Sequence, residues 1–456
     1  MMEQLSDVAR RIDASLHGAD TLFNRVITDT RQLLPGDLFV ALQGENFDGH
    51  EFVRRAGSLG AVGALVSRQV DCELPQLIVP DTLRALQDYA AAWRGEFNLP
   101  VVAVTGSNGK TTTKQLLAAI FAARGPVLAT AGNLNNHIGL PLTLLSLRRE
   151  HRTAVIEMGA SHAGEIALLT RLTRPDIGVV TQAADAHLEG FGSREGVARA
   201  KGELFAGLGH GIAVINADDA YAPLWREMAR PAAMINFGFS EQADVRALNL
   251  ESLPAAGGSR FELLAPGGRQ AVSLPLPGQH NVSNALAAAA CAVALGMDLH
   301  DIAAGLARVQ SAQGRVNWKV TPQGARLLDD SYNANPSSLR AGMELLATLP
   351  GQRWLVLGDM AELGSDAPRL HAEAGAIARD LGLDRVYALG ALAGAAAKAF
   401  GAGGSTFENH EALANALRPH LNTNVALLVK GSRSARMERV VAALVDGKAG
   451  GAEAQH

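Results

Sequence analysis

Residues 105 to 111, Thr-Gly-Ser-Asn-Gly-Lys-Thr, carry the chemistry most directly legible in this chain. The backbone N–H groups of Gly106, Ser107, Asn108, Gly109 and Lys110 can turn inward on a short loop. Lys110 adds a positive charge, and the Thr111 hydroxyl is an oxygen donor of the kind that Mg²⁺ takes. With Thr105 and Thr112 at its ends, the segment is a cradle for a nucleotide polyphosphate. The common phosphate loop has four residues between its first glycine and the Gly-Lys pair; here only Ser107 and Asn108 intervene. A β-branched run, Val101 to Thr105, leads in and a helical pattern from Lys114 leads out. The order is therefore strand, loop, helix, with the positive end of the helix dipole facing the anion.

Other groups fall at the ends of apolar runs, where parallel strands present their carboxyl ends to a site. Glu157 ends the run Thr153 to Met158 and is the first acid placed to share a cation with Thr111. His187 follows the run Ile177 to Thr181 and precedes a glycine-rich loop. Lys201 lies on a helix spanning 194 to 205, where an ordinary lysine is solvated and has no special role. Asn281 and Asn284 open an Ala-rich helix, serving either as helix-start caps or as nucleotide contacts. Arg315 precedes a strand that ends Asp329-Asp330-Ser331-Tyr332-Asn333-Ala334-Asn335-Pro336. These residues offer stacking and hydrogen-bonding groups suited to ribose and adenine, although Asn335-Pro336 is also a turn signal. A basic loop, Lys430-Gly-Ser432-Arg433, enters a helix near the C-terminus and is a second candidate anion site.

The elements that must position these groups divide into three. Residues 1–82 read as a small α/β domain with turns at Pro35-Gly36-Asp37 and Asp48-Gly49; 83–311 as a central, mostly parallel phosphate-loop sheet; 312–456 as a Rossmann-like α/β domain. Residues 246 to 276 read as antiparallel strands, and the Gly/Ala-rich tail after Lys448 as disordered. At 456 residues the chain is long enough for about three cores. A net charge of -4 argues against nucleic acid as a partner. Two distant cysteines, Cys72 and Cys291, exclude a disulfide framework and fit a reducing cytoplasm. The longest apolar stretch, 285 to 297, is too short to span a bilayer, so no membrane insertion is expected.

Taken together, Thr-Gly-Ser-Asn-Gly-Lys-Thr (105 to 111), Gly-Asn-Leu-Asn-Asn-His-Ile-Gly-Leu-Pro (132 to 141), Glu-Met-Gly-Ala (157 to 160), the 329 to 336 segment and Leu-Gly-Asp-Met (357 to 360) resemble the ATP-dependent Mur ligase family over nearly the whole chain. Within the family, the third-domain acidic segment is similar to that of members that join D-alanyl-D-alanine to UDP-N-acetylmuramoyl-tripeptide. The Tyr-Ala-His-Thr-Pro and Asp-Asn-Pro-Arg sequences of members that add the third stem residue are missing here. The resemblance implies ATP held by residues 105–112 with Asn281, Asn284, Arg315, Asp330 and Asn333. It implies one Mg²⁺ on Thr111 and Glu157, and a second on His187 with Lys201 if that lysine is carbamoylated; Lys110, Glu157, His187 and Lys201 are then the catalytic set. It places UDP-substrate contacts at Thr30, Arg31 and Asn46, and further substrate contacts at Asn133, Asn135, Asn136, Tyr332, Asn335, Lys430, Ser432 and Arg433. A cytoplasmic, monomeric enzyme is expected, working through an acyl phosphate. The alternatives are a sibling muramyl or folylpolyglutamate-type amide ligase, or a non-enzymatic phosphate-loop protein that binds ATP.

Overall fold

The computed structural model of the chain describes residues 2–45, 47–253, 257–310 and 314–446. Asn46, the division between 311 and 312, and the tail after Lys448 lie outside the described residues. Three α/β sheets follow one another along the chain.

The first sheet runs Ser15–His17, Gln76–Ile78, Gly63–Val66, Asp37–Val40, Arg25–Ile27 in spatial order, and all pairings except that of Ser15–His17 are parallel. The helix Thr82–Gly95, capped by Asp81, leaves this sheet and packs against Leu5–Ile12 on one side and Gly139–Leu144 on the other. The expected division after residue 82 falls in its first turn.

The central sheet has nine strands, with Val101–Thr105 between Ile177–Val180 and Thr153–Glu157. All three strands are buried end to end, which is why they read as unbroken apolar runs rather than alternating ones. After Val101–Thr105 the chain fills one side of the sheet (Val127–Ala129, then Thr153–Glu157) before crossing to Ile177–Val180 on the other. That reversal opens a crevice at the carboxyl ends, immediately beside the phosphate loop. At the far edge Val245–Leu253, Gly258–Ala265 and Gly268–Leu274 form the antiparallel ladder expected from sequence.

Under the phosphate-loop helix Lys110–Phe121 lies Gln279–Ala294, in which every residue from Ala285 to Ala292 is fully buried. A helix apolar on all sides belongs inside the core, and its alanines let backbones approach closely. Its start differs from the reading of Asn281 and Asn284 as caps. The cap is Gly278, whose φ of +92° lets the chain enter from a tight turn, and both asparagines stand inside the first two turns. The helix Leu299–Ala307 closes the far side, where Gly305 crosses the backbone of Ile120.

The third sheet runs Asn317–Val320, Arg326–Asp330, Val425–Lys430, Gln352–Gly358, Arg385–Leu389, Gly404–Phe407; only the first pairing is antiparallel. Inserting the last strand between Arg326–Asp330 and Gln352–Gly358 puts Asp330 directly opposite Lys430 at adjoining carboxyl ends. Among the described residues no helix is long and apolar enough to cross a membrane.

A Cβ at Gly305 would stand 2.5 Å from Ile120 Cα, so Gly305→Ala must push apart the two helices beneath the phosphate loop. The expected loss is about 1–3 kcal/mol by urea denaturation; an unchanged midpoint would show that this crossing is not tight.

Candidate functional site

The phosphate loop is held from behind by the segment after Ile177–Val180. Ser107 N–H donates to Gln182 O (2.9 Å), the Ser107 hydroxyl exchanges bonds with Ala184, and Thr181 Oγ1 donates to Asn108 O at 2.6 Å. Gly106 has φ +144°, and a Cβ there would collide with Thr181 Oγ1; Gly109, at φ +82°, has Asn284 Oδ1 in the same relation. Both glycines are therefore required by conformation and by space. Lys110 folds back so that its ammonium donates to Gly106 O (2.6 Å) at the mouth of the loop. Burial, and then the Arg315 charge, hold its pKa below the ordinary lysine range, against the pull of Glu157.

Glu157 ends its strand 2% exposed. Asn135 Nδ2 donates to its Oε1 (2.8 Å), Thr111 Oγ1 donates to the same oxygen (3.2 Å), and Thr130 receives its N–H. Lys114 Nζ stands 3.0 Å from Oε2 as an ion pair without hydrogen-bond direction, leaving that oxygen without a hydrogen-bond donor. Burial alone would raise the Glu157 pKa; Lys114, Lys110 and Asn135 outweigh it and keep the group below the usual carboxylate range. Lys114 was missed in the sequence. Its spacing from Lys110 and Leu117 on one helix face is the pattern that would have found it.

Lys201 departs from the solvated lysine expected of a helix. It is 1% exposed, donates to Ala160 O at 3.1 Å, and its ammonium lies 5.0 Å from the Phe191 ring centre. Val197, Lys201, Leu204 and Phe205 recur at helical spacing, so the buried stripe runs through the lysine. Burial, and then the Lys110 charge, bring its pKa down to about 7. His187, left-handed at φ +53°, turns from the central sheet to meet the third: its Nδ1 lies 2.5 Å from Glu362 Oε2.

The third domain supplies the opposite wall. Asn108 donates to Ser337 Oγ (2.7 Å) and accepts from Asn335 Nδ2 (2.7 Å), so the phosphate loop is bonded to the start of the helix Pro336–Ala347. Asn335 caps that helix through Ser338 N–H, with Pro336 at its first position, and is thus more than the turn its sequence suggested. The cleft between the domains is lined by residues 107–112, His280, Asn281, Ser283, Asn284, Arg315, Asp330, Tyr332, Asn333 and Lys430. Three helices therefore open onto it at their N-termini, starting at Lys110, Gln279 and Pro336. Asn281 and Asn284 are linked to each other, and Asn281 also holds Pro277 O. The Arg315 guanidinium lies over the Tyr332 ring at 4.3 Å.

The basic loop does not assemble as the sequence suggested. Lys430 is buried, paired with Asp330 and bonded to Asn333 O. The Ser432 hydroxyl is bonded to Asp359 O, and residues 433–435 form a single 3₁₀ turn rather than a helix start. Of the three, only the Arg433 guanidinium remains exposed, 5.6 Å from the Tyr332 ring. Along the 132–141 motif the structure separates the asparagines. Asn135 reaches Glu157, Asn136 accepts from Ile138 and Gly139 N–H to start a helix, and Asn133 is exposed. In the first domain Arg31 is held by both carboxylate oxygens of Asp29, beside Thr30.

The donor set fits the expected cations unevenly. Thr111 and Glu157 are hard oxygen donors within reach of one ion, which suits Mg²⁺ bound mainly through substrate phosphates. An ammonium at Lys201 is not a ligand, whereas a carbamate on it would be. No cluster of three or more His, Cys, Asp or Glu side chains capable of holding a metal occurs among the described residues. Because the folded-state pKa of Lys201 is depressed, the unfolded chain binds the extra proton between about pH 7 and the ordinary lysine value of about 10.4, so stability rises with pH across that window. In carbon-dioxide-free buffer, wild-type unfolding free energy is expected to gain about 2 kcal/mol more than Lys201→Met between pH 7 and 9. Parallel profiles would contradict this.

Comparison with known proteins places this geometry. The Mur ligase middle domain matches residues 104–292, the Mur ligase glutamate ligase domain 314–433, and the Mur ligase family catalytic domain 23–121. The UDP-N-acetylmuramoyl-tripeptide--D-alanyl-D-alanine ligase of Escherichia coli is 46% identical over 447 residues, covering 97% of this chain and 98% of that protein. The crystal structure of MurF from Acinetobacter baumannii superposes with a TM-score of 0.91 at 37% identity, covering 98% of this chain and 99% of that one. MurF ligase from Thermotoga maritima in complex with ADP superposes at 0.79 and 30%, covering 92% and 96%. With family models covering more than half of its length and a relative of this identity end to end, the chain belongs to the Mur ligase family.

Proposed function

We propose that the protein is an ATP-dependent amide ligase that joins D-alanyl-D-alanine to the terminal carboxylate of UDP-N-acetylmuramoyl-tripeptide, giving ADP, phosphate and the pentapeptide precursor of peptidoglycan. The observation that carries the reading is the bonded junction between Asn108 and Asn335–Ser337, where a phosphate loop meets a second α/β domain over one cleft. The name of the Escherichia coli relative supplies the substrates, and the ADP of the Thermotoga structure supports nucleotide in the cleft.

In the first step the tripeptide carboxylate displaces ADP from the γ-phosphate and becomes an acyl phosphate. Two anions must meet, so the fixed positive field decides the barrier: Lys110, Arg315 and three helix N-termini face the phosphates. Thr111 and Glu157 would hold one Mg²⁺, which neutralises phosphate charge when bound. Asn135 and Thr130 keep Glu157 aimed at that position. Lys201 stands in the same basic field, and a pKa near 7 leaves much of it as the free amine that reacts with carbon dioxide, so we assign it a carbamate that joins His187 at a second cation. In the second step the dipeptide amine attacks the acyl carbon and phosphate leaves; closing the domains keeps water from that intermediate. Asn281, Asn284, Asp330 and Asn333 are assigned to nucleotide and Tyr332 to substrate, with the UDP end toward Thr30 and Arg31 of the first domain.

The assay combines ATP, UDP-muramoyl-tripeptide and D-alanyl-D-alanine and follows phosphate release with each omitted in turn. Release is expected only with all three, and release indifferent to the dipeptide would overturn the proposal. Lys110→Ala is expected to cut turnover by at least about 10³-fold while leaving the thermal unfolding midpoint unchanged; retained turnover would remove Lys110 from the phosphate site.

A further inference from the structure

Lys114 has no part in the reaction described above, yet it is nearly fully buried beside it. Lys110, one turn earlier on the same helix, serves the mouth of the phosphate loop, where its ammonium donates to Gly106 O at 2.6 Å. Lys114 instead meets Glu157, with Nζ 3.0 Å from Oε2. A buried ion pair adds little net stability, because desolvation offsets most of the attraction, so packing alone is a weak reason for a charge here. The position also borders a cavity lined by Thr111, Thr130, Arg315 and Tyr332, so Oε2 is reachable from that side once the ammonium is removed.

The two oxygens of Glu157 are unlike. Oε1 accepts from Asn135 Nδ2 (2.8 Å) and from the Thr111 hydroxyl (3.2 Å). A hydroxyl proton rotates, so Thr111 Oγ1 and the free lone pair of Oε1 can turn to one cation together. Oε2 has no hydrogen-bond donor, only the ammonium. The carboxylate is held against exchanging these roles: Glu157 N–H donates to Thr130 Oγ1 (2.9 Å), and Asn135 O accepts from Gly159 N–H (2.8 Å), which fixes the amide that grips Oε1. No cluster of three or more His, Cys, Asp or Glu side chains stands ready for a metal among the described residues, so one oxygen or two from Glu157 is a large change in the protein's share of the ligands. That number separates two ions. Mg²⁺ is held by few carboxylates together with substrate phosphates in a rigid octahedron, whereas Ca²⁺ accepts more oxygens, bidentate carboxylates among them.

We propose that Lys114 sets the ion preference of the nucleotide site: held against Oε2, it leaves Glu157 a single oxygen for the divalent cation and so favours Mg²⁺ over Ca²⁺. The assignment rests on the reading of Thr111 and Glu157 as cation ligands and adds which ion they take. Lys114 is a positioning residue here, acting through Glu157. Its effect comes from charge, since an ammonium beside Oε2 repels a second cation from that oxygen while a neutral side chain does not. Removing a positive charge near the site favours both divalent ions alike, so the ratio of their effects isolates the oxygen count from the general field.

The test measures the affinity of the full-length protein for a non-hydrolysable ATP analogue by calorimetry in excess Mg²⁺, in excess Ca²⁺ and in EDTA, with the thermal unfolding midpoint confirming that each variant is folded. Wild type is expected to bind tightest in Mg²⁺. Lys114→Met and Lys114→Gln both remove the charge, and each is expected to narrow the Mg²⁺-to-Ca²⁺ affinity ratio about 10-fold, the scale on which the outer partners of a metal ligand act. Should one of them fail to fold, the other reads the same ratio. Lys114→Arg keeps the charge and is expected to hold the ratio within about 2-fold of wild type, well inside that scale. An unchanged ratio in the neutral variants would overturn the assignment, and so would a ratio that Lys114→Arg fails to preserve. Equal losses in all three buffers would also overturn it, because Lys114 would then be a general anchor for phosphate. Wild-type affinity that is the same in Mg²⁺ and EDTA would instead overturn the reading of Thr111 and Glu157 as cation ligands.

Discussion

Asn108 is bonded at both ends of its amide to another domain. Its Nδ2 donates to Ser337 Oγ and its Oδ1 accepts from Asn335 Nδ2, each at 2.7 Å. Asn108 sits inside the phosphate loop and Asn335 caps the helix Pro336–Ala347, so these two bonds bring the N-termini of two helices from different sheets to one cleft. Helix N-termini aligned in this way present unpaired N–H groups and partial positive charge to the same point. With Lys110 and Arg315 lining the same cleft, the arrangement presents a positive field suited to an anion. Much else in the fold serves this junction: the strand reversal that opens the crevice, the glycines at 106 and 109, and the Ala-rich helix that lets a third N-terminus approach.

The charges around the junction are arranged in depth. Glu157 and Lys114 are nearly fully buried and face each other, while Lys110, four residues from Lys114 on the same helix, keeps part of its surface open to the cleft. A buried ion pair gains little net stability, because desolvation offsets most of the attraction. Its physical effect is to hold a carboxylate ionised and aimed. The same low-dielectric surroundings, and then the Lys110 charge, depress the Lys201 pKa, since among the described residues an ammonium there has Ala160 O and the face of Phe191 but no carboxylate bonded to it. Depth and neighbours thus lower the pKa of Lys110, Lys201 and Glu157 alike.

Much of this was legible in the sequence. The phosphate loop, the three-sheet α/β organisation and the antiparallel edge each follow from apolar run length and glycine placement. Glu157 was found because a strand end is a predictable place for an acid. What escaped depended on which helix face is buried. Lys201 read as solvated because lysine is nearly always exposed, and Lys114 was missed, although both sit at helical spacing from apolar residues that are buried. Lys430, expected in a separate anion site, instead answers Asp330, because the strand order sets the two carboxyl ends side by side. Strand order is a tertiary property that no local pattern encodes. Glu362 escaped for the same reason, its partner lying 175 positions earlier on another sheet.

Two domains bonded through Asn108 form one cleft for the nucleotide. A double-mutant cycle tests it directly, comparing the affinity of a non-hydrolysable ATP analogue for wild type, Asn108→Ala, Asn335→Ser and the double variant by calorimetry. Serine at 335 keeps the helix cap while removing the amide that reaches Asn108. A coupling of about 0.5–3 kcal/mol between the two positions is expected. Additive losses, within about 0.3–0.5 kcal/mol, would contradict it and reduce the phosphate loop to a site complete in the central domain alone.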